Sequence, residues 1–179
     1  MLTSFLPRTF SLLLALTLSS ATLALPTDKS KPIHISADSA TRNDLTGITI
    51  YKGRVKVSQG SMHISGDIVE LHQNADGVSV ILANGAPAHY QQRPEAEQEI
   101  THAFGKKLNY DTRTQELTIT GQAKVTQGGD TFSGDRIIYD MKQSTVDAFS
   151  DSNIEGSRVQ MVIQPKKEAD KAAQQEQSQ

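Results

Sequence analysis

Apolar and polar residues alternate with a period of two along most of the chain from Pro32 onward. The alternation is clearest in six short stretches, and it is typical of strands that bury one face. The apolar members of these stretches are Ile33 and Ile35; Ile48 and Ile50; Val55 and Val57; Val78, Val80 and Leu82; Leu117 and Ile119; and Val159, Met161 and Ile163. The pattern predicts an all-β domain of many short strands.

Residues that favour turns separate these stretches. Gly, Asn, Asp and Ser cluster between the apolar runs, and their side chains or conformational freedom suit tight turns. The predicted turns are Asn43-Asp44, Gln59-Gly60, Ser65-Gly66-Asp67, Ala75-Asp76-Gly77, Asn84-Gly85, Gly128-Gly129 and Ser133-Gly134-Asp135. One stretch, residues 94–104 (PEAEQEITHAF), departs from the pattern and has a composition that suits a helix and a polar loop equally.

One phrase of sequence occurs twice. Residues 53–71 and residues 121–139 are identical at 8 of 19 aligned positions, and several of the remaining pairs keep their apolar character. Strand units that cannot close a core alone gain one by stacking on a neighbour. We therefore expect a domain that is built from internal repeats.

Each copy of the repeat is interpreted as a strand, a tight turn and a returning strand. Gly60 and Gly128 are expected to take a positive φ at the turn. Gly66-Asp67 and Gly134-Asp135 are expected to mark a second corner, where the carboxylate accepts hydrogen bonds from nearby backbone N–H groups.

The first 24 residues have the pattern of a secretory signal peptide. Arg8 gives a thin positive region, residues 10–18 (FSLLLALTL) form an apolar run, and small residues follow up to Ala24, where we expect cleavage. The alternative is a retained membrane anchor, but the run is shorter than the ~20 residues that a spanning helix needs. Export to a bacterial periplasm is therefore expected.

The mature chain divides into three predicted segments. Residues 25–31 are a polar leader, residues 32–164 form the β domain, and residues 165–179 form a tail that is charged and rich in Gln. The tail has no large apolar side chain to bury after Ile163, so it is expected to be disordered.

Truncation after Lys167 should therefore change the free energy of unfolding by less than about 1 kcal/mol in a urea titration. A larger loss would mean that the tail packs on the domain.

Composition narrows the possible functions. The chain has 18 Lys and Arg against 20 Asp and Glu, and loss of Arg8 with the signal peptide changes the net charge from -2 to about -3. This balance gives no electrostatic basis for nucleic-acid binding. There is no cysteine, which excludes disulfides, thiolate metal sites, a Cys nucleophile and lipid attachment through an N-terminal Cys.

Candidate catalytic or metal-binding patterns are weak. The five histidines, which are His34, His63, His72, His89 and His102, show no metal-binding spacing. Asp67 and Asp135 occupy equivalent repeat positions and could face each other as a hydrolytic carboxylate pair, but hydrogen bonding at a corner is the favoured interpretation. There is no nucleophile elbow and no phosphate-binding glycine loop. We therefore expect neither an enzyme, nor a cofactor, nor a metal site.

The remaining candidate is the apolar interior between the strands. One face of the strands is mostly Ile, Val and Leu, with Tyr90, Tyr110, Phe132 and Tyr139 as bulky members. These residues could simply pack a solid core. Alternatively, the two faces could stay apart and form a trough for an apolar ligand.

Three motifs resemble the LptA (OstA-like) family of periplasmic lipopolysaccharide transport proteins. They are PIHISAD at residues 32–38, YKGRVKVSQG at residues 51–60 and GAPAHYQ at residues 85–91, and the resemblance extends from Pro32 to about Ile163. It implies an open, twisted antiparallel β-jellyroll of about sixteen short strands. It also implies a bridge that carries lipopolysaccharide from the inner to the outer membrane, with the lipid A acyl chains in an apolar trough.

The family further implies partners and site residues. The expected partners are an inner-membrane transporter component of like fold (LptC-like), an outer-membrane barrel component (LptD-like) and further copies of the chain, joined head to tail. The resemblance places Ile33, Ile35, Tyr90 and Tyr110 against the lipid, and the strand pattern adds Val55, Val57, Ile64, Ile119, Val125 and Phe132. The expected oligomer edges contain Ile33, Ile35, Val159, Met161 and Ile163. The alternative is a structural β-solenoid fibre or adhesin-like subunit that has a solid core and no lipid ligand.

Overall fold

The computed structural model describes residues 28–93 and 99–165. The predicted signal peptide, residues 25–27 of the leader and the tail from residue 166 lie outside these ranges. The described chain forms ten antiparallel strands and one 3₁₀ turn at Asp28–Ser30. The strands are β1 His34–Ser36, β2 Ser39–Asn43, β3 Ile48–Gln59, β4 Met62–Asn74, β5 Gly77–Gln92, β6 Thr101–Asp111, β7 Glu116–Gln127, β8 Asp130–Asp140, β9 Thr145–Phe149 and β10 Gln160–Val162. None of the helical segments in the described ranges has the length and apolar character needed to cross a bilayer.

All ten strands belong to one open sheet. The strand order is β1-β3-β4-β5-β6-β7-β8-β10, so the sheet runs from one end of the domain to the other without returning to its first strand. The two remaining strands extend this path, because β2 pairs with the first half of β3 and β9 pairs with the second half of β8. The sheet therefore has two edges, one made by β1 and β2 and the other by β9 and β10.

Each of the six long strands is interrupted near its middle by an irregularity in its pairing. The register shifts fall between Lys52 and Val55, Ser65 and Ile68, Asn84 and Ala88, Phe104 and Lys107, and Thr120 and Ala123. Bulges bend a strand without ending it. Because both halves of the strands bury side chains in one cluster, the sheet folds over along this line of bulges.

The fold of the sheet creates two layers that face each other. One layer contains β1, β10 and the halves of the long strands that lie in line with them, and we call it the β1 layer. Its long-strand segments are 55–59, 62–65, 88–92, 101–104, 123–127 and 130–133. The other layer contains β2, β9 and the remaining halves of the long strands, and we call it the β2 layer. The apolar side chains between the layers form the core.

The two copies of the sequence repeat take the same local structure. Each is a strand, a two-residue turn and a returning strand, and Gly60 and Gly128 have φ of 59° and 58°, as predicted. At the bulges, Gly53 and Gly121 also have positive φ, and so do the residues that follow each of them, Arg54 and Gln122. A left-handed pair at equivalent positions bends both copies in the same way.

Three of the predicted turns are wrong. Ser65-Gly66-Asp67, Asn84-Gly85 and Ser133-Gly134-Asp135 lie inside β4, β5 and β8 and not between strands. The glycines there permit close backbone approach: a Cβ on Gly66 would lie 2.7 Å from the carbonyl oxygen of Asn84, and one on Gly134 would lie 2.8 Å from that of Phe149. These positions are corners of bent strands, and the chain continues through them.

The expected fold class is confirmed as all-β, open and antiparallel, but the sheet has ten strands and not about sixteen. The difference has a physical origin in the bulges. Counting the two halves of each of the six long strands separately, together with the four short strands, gives sixteen segments. The bulges bend the long strands and leave the backbone continuous, so each pair of halves is one strand.

The hydrogen bonds expected at the second corner occur in one repeat copy. The Asp135 carboxylate accepts hydrogen bonds from the Ser157 hydroxyl and from the Asp151 N–H, the latter at 2.7 Å, and these bonds hold its pKa below the ordinary value. Within residues 28–93 and 99–165, the Asp67 carboxylate has no such bond. The prediction is therefore right for Asp135 and wrong for Asp67.

The stretch at residues 94–104 is partly described. Residues 94–98 lie outside the described ranges, while residues 101–104 begin β6 and are neither helix nor polar loop. Thr101 and Ala103 are fully buried, and β6 pairs with β5 on one side and β7 on the other. Tertiary pairing overrides the local helical preference of this segment.

Candidate functional site

The candidate site is the interior between the two layers. An apolar row crosses the entire β1 layer, because the paired residues at one register position lie on the same face of the sheet. This row is Ile35, Val57, Ile64, Tyr90, Ala103, Val125, Phe132 and Met161, in spatial order from β1 to β10. Eight strands at the usual spacing make the row about 34 Å long.

The β2 layer presents a matching row across its own strands. Its members are Ala40, Tyr51, Val69, Ala83, Leu108, Ile119, Ile137 and Ala148. A second row in the same layer contains Leu71, Ile81, Tyr110, Leu117 and Tyr139. Apolar side chains therefore line the interior from β1 and β3 to β8 and β9, and the rows end in Ala40 and Met161, which are exposed at the edges of the sheet.

The residues predicted to line the interior come together there. Val55, Val57, Ile64, Tyr90, Tyr110, Ile119 and Val125 are buried, and Ile33, Ile35 and Phe132 are half-buried and pack against the same cluster. Their outward neighbours Arg54, Lys56 and Lys124 are exposed. Several interior residues escaped the prediction, namely Val69, Leu71, Ala83, Leu108 and Ile137. These residues alternate with polar residues in the sequence. However, the bulges shift the pairing register, so the sequence alone does not show which face of the sheet each residue occupies.

The two layers are closed on each other in this structure. The rings of Tyr90 and Tyr110, which belong to different layers, have centroids 5.5 Å apart, and Tyr90 is fully buried. The Tyr90 hydroxyl also lies 3.3 Å from the sulfur of Met141 at the end of β8. Because the interior is filled by its own side chains, an apolar ligand can enter only where the layers separate.

Tyr90 and Tyr110, two of the tyrosines that line the interior, are neutral at physiological pH. Burial raises the pKa of Tyr90 well above its ordinary value, and burial together with the nearby Asp28 charge raises the pKa of Tyr110 to about 12. The Tyr90 hydroxyl donates a hydrogen bond to the side-chain oxygen of Gln92. Both side chains therefore contribute a neutral hydroxyl group to the interior and no charge.

A cavity opens beside the core at the ends of several strands. It measures ≈ 840 Å³ and lies between the leader, the end of β3, the β4–β5 turn and the β6–β7 turn. Its wall includes the apolar side chains of Ile33, Val78 and Val80 and the charged side chains of Lys29, Lys31 and Arg113. Since Ile33 and Val78 also pack against the core, the cavity is a mouth of the interior.

The predicted polar leader is docked at this mouth through Asp28. The Asp28 carboxylate accepts hydrogen bonds from the Ser61 N–H at 2.8 Å, the Ser61 hydroxyl at 2.5 Å and the Gln92 amide at 2.9 Å. Burial acts to raise the pKa of Asp28, but the Ser61 and Gln92 hydrogen bonds outweigh it and lower the pKa. The contact is therefore retained at neutral pH and is lost as the pH falls through this lowered pKa. No local sequence signal reveals it, because the partners are 33 and 64 positions away.

The histidines do not converge on one site. His89 and His102 lie on adjacent strands with ring nitrogens 3.1 Å apart, and both stack with Phe104 on the outer face of the β1 layer. Burial and the neighbouring His102 lower the pKa of His89. In residues 28–93 and 99–165, no three His, Asp or Glu side chains are arranged to hold a metal ion.

Asp67 and Asp135 are not brought together. They lie on β4 and β8, four strands apart, which corresponds to roughly 19 Å along the sheet. Paired carboxylates in glycoside hydrolysis lie about 5–9.5 Å apart. This pair therefore does not have the geometry for that reaction.

Both sheet edges are open, and the β10 edge is strongly apolar. Met161, Val162 and Ile163 are 53%, 53% and 67% exposed, and Val159 is also exposed. On the opposite edge, Ile33 and Ile35 are half-buried against the core. The residues predicted for oligomer edges thus lie at the two ends of the sheet.

Comparisons with known proteins agree on one group. The family profile of the LptA/(LptD N-terminal domain) LPS transport protein matches residues 34–145. The lipopolysaccharide export system protein LptH of Pseudomonas aeruginosa is 40% identical over 169 residues, which cover 92% of this chain and 96% of LptH. LptA of Escherichia coli K12 is 30% identical over 166 residues, covering 90% and 88% of the two chains. The crystal structure of LptH, the LptA-homologous periplasmic component of the lipopolysaccharide transport device, matches with a TM-score of 0.72 and 38% identity, covering 78% of this chain and all of that one.

Proposed function

Because the chain belongs to the LptA/(LptD N-terminal domain) family of LPS transport proteins, we propose that it carries lipopolysaccharide from the inner to the outer membrane through its apolar interior. The observation that carries the proposal is the pair of apolar rows that run from one edge strand of the sheet to the other. Acyl chains would lie between the two layers and move along the rows.

The energetics of lipid transfer favour such a device. Exposing an acyl chain to water costs about 0.8 kcal/mol per CH₂ group, so a chain of about twelve carbons costs on the order of 10 kcal/mol. A continuous aliphatic lining removes most of this cost. Its side chains are similar along the row and offer few specific hydrogen bonds, so a lipid would have no single preferred stopping place.

The location and partners follow from the same proposal. LptH of Pseudomonas aeruginosa is a periplasmic component of a lipopolysaccharide transport device, and the signal-peptide pattern of residues 1–24 supports export of this chain to the periplasm. The docking partners would be components of like fold, LptC-like at the inner membrane and LptD-like at the outer membrane, together with further copies of this chain. Transport of this kind makes and breaks no covalent bond, so we propose that the protein is not an enzyme.

A scan with photo-crosslinking side chains in living cells tests the interior as the lipid path. We expect crosslinkers at Val57 and Phe132 to capture lipopolysaccharide, because both positions belong to the row in the β1 layer. Crosslinkers at Lys56 and Lys124 serve as matched controls, since each is a direct neighbour of a row residue and faces solvent. Equal capture on both faces would contradict the proposed path, and no capture at any interior position would favour a fibre subunit with a solid core.

A further inference from the structure

The leader is built into the mouth of the interior. In addition to the Asp28 contacts, the side-chain amide of Gln59 donates hydrogen bonds to the carbonyl oxygens of Lys29 and Lys31, at 3.3 Å and 2.9 Å. A Cβ on Gly60 would lie 2.1 Å from a carboxylate oxygen of Asp28, so the leader can pack this closely against the β3–β4 turn only if residue 60 is glycine. These contacts fix the backbone from which the two lysines project.

The mouth carries an excess of positive charge. Lys29, Lys31 and Arg113 line the cavity, and the Lys142 ammonium approaches them by donating a hydrogen bond to the Arg113 carbonyl at 3.0 Å. The wall also contains two acids, Asp76 and Asp111. The Asp111 carboxylate accepts hydrogen bonds from the backbone N–H groups of Arg113 and Thr114, at 2.8 Å and 2.9 Å, and its charge offsets part of the positive charge of Lys29 and Arg113.

Lys29 at the cavity wall lies close enough to Lys142 for the two positive charges to repel each other. Burial lowers the pKa of Lys29, and the positive charge of Lys142 lowers it further, against an opposite effect from Asp111. Within residues 28–93 and 99–165, none of the three cavity cations takes part in a salt bridge. A bound anion would relieve this repulsion and balance the excess positive charge of the mouth.

The same cavity has an apolar side that is continuous with the core. Ile33 and Val78 line the cavity and also pack against the interior cluster. A ligand that satisfies both parts of the wall must combine an anionic group with a hydrocarbon chain that continues between the layers. A free anion would use only the cationic part, and a neutral lipid would use only the apolar part.

We propose that the mouth of the interior binds the phosphorylated head of an acylated saccharide, with Lys29 and Lys31 contacting phosphate and Ile33 and Val78 directing an acyl chain inward. This inference rests on the proposed lipid-carrying function and adds a head-group site to it. The leader is then a part of the lipid-binding site and more than a spacer before the domain.

The test compares binding of phosphorylated and dephosphorylated lipid A by the purified protein. We expect the wild type to bind the phosphorylated form about tenfold more tightly or better, as expected for charged hydrogen bonds to phosphate. In the double variant Lys29→Gln/Lys31→Gln, this preference should fall to less than about twofold while the dephosphorylated lipid still binds. The matched control is Lys56→Gln/Lys124→Gln, which removes the same charge from the outer face of the β1 layer and should keep the preference.

Two further arms isolate the roles of the leader and of the acyl chain. Asp28→Asn weakens the anchor of the leader without altering a cation, and it should reduce the preference for phosphate in parallel with the lysine variant. Inorganic phosphate at the concentration of the lipid should not displace it, because phosphate alone gains nothing from Ile33 and Val78. Displacement by phosphate would overturn the assignment to an amphiphile.

The outcomes separate this inference from the proposed function. If the wild type binds both lipids equally, or if the Lys56/Lys124 control loses the preference as fully as the leader variant, the head-group site is wrong and lipid carriage stands. If the wild type binds neither lipid, the proposed function fails and the head-group site fails with it. Loss of the preference in the leader variants alone supports both.

Discussion

Val57→Asp is expected to lower the free energy of unfolding by about 4 kcal/mol or more, because it places a charge without a partner in an apolar interior. Val57 is 1% exposed and sits in the row between Ile35 on β1 and Ile64 on β4. In the described part of the chain, no cation faces it from inside the layers, since its cationic neighbour Lys56 points outward. Urea unfolding followed by circular dichroism measures the loss.

The control for this prediction is the adjacent substitution Lys56→Asp. It introduces the same carboxylate one residue away, on the exposed face of β3, and should change stability by no more than about 0.5 kcal/mol. A comparable loss for both variants would show that β3 is sensitive to charge in general. A Val57→Asp protein as stable as the wild type would show that water reaches the interior at this position.

The faces of the strands could be predicted from the sequence because alternation is a local property. Val57 and Lys56, or Val125 and Lys124, differ in burial as the period of two requires. The hairpins of the repeat were also predictable, since Gly60 and Gly128 mark turns that need positive φ. These features depend on residues that lie next to one another in the chain.

The bulges and the register could not be predicted in the same way. Arg54 and Gln122 take a positive φ without being glycine, a conformation that pairing with neighbouring strands and the fold of the sheet impose. A shift of one residue moves a side chain to the other face of the sheet, so the rows emerge only when each bulge is placed. Leu108 and Ile137 were missed for this reason.

The head-group mouth depends on contacts that are even more distant in sequence. Asp28 meets Ser61 and Gln92, and the cavity gathers Lys29, Lys31 and Arg113 from the leader and from the β6–β7 turn. A polar leader of ordinary composition gives no sign of such docking. Only the folded sheet, which brings the ends of β3 and β5 together, provides its binding surface.

The two open edges of the sheet lead to an expectation for assembly. Exposed edges pair with other strands unless they are blocked, and the blocking prolines, Pro32 and Pro165, lie just outside β1 and β10. Joining the β10 edge of one copy to the β1 edge of the next would place Met161 beside Ile35 and continue the apolar row between copies. Such a head-to-tail contact uses two different surfaces, so it grows as an open chain and does not close as a dimer.

Proline at whichever of Met161 and Val162 directs its N–H away from β8 is expected to stop this growth while leaving a folded protein that still binds lipid, because it removes a backbone donor from the free edge of the strand. Met161 pairs with Phe132 on its inner side, and consecutive N–H groups of a strand point to opposite sides, so Val162→Pro tests the alternate donor. Of the two variants, the one whose lost N–H points away from β8 should keep the stability of the wild type. Sedimentation velocity over a concentration series, beside a lipid-binding assay, provides the measurement.

Ser152→Pro is the matched control for proline itself. Ser152 occupies the second position of the turn closed by the Ile154 N–H and the Asp151 carbonyl at 3.1 Å, where proline is favoured, and it lies in the loop between β9 and β10, outside the strands that would pair with another copy. This variant should associate like the wild type. A wild-type protein that stays monomeric at high concentration, or a closed dimer that neither edge variant disrupts, would contradict head-to-tail continuation of the row. If the edge variants block association and retain lipid, the apolar row within one copy binds lipid on its own and the edge contact serves to pass it to the next copy.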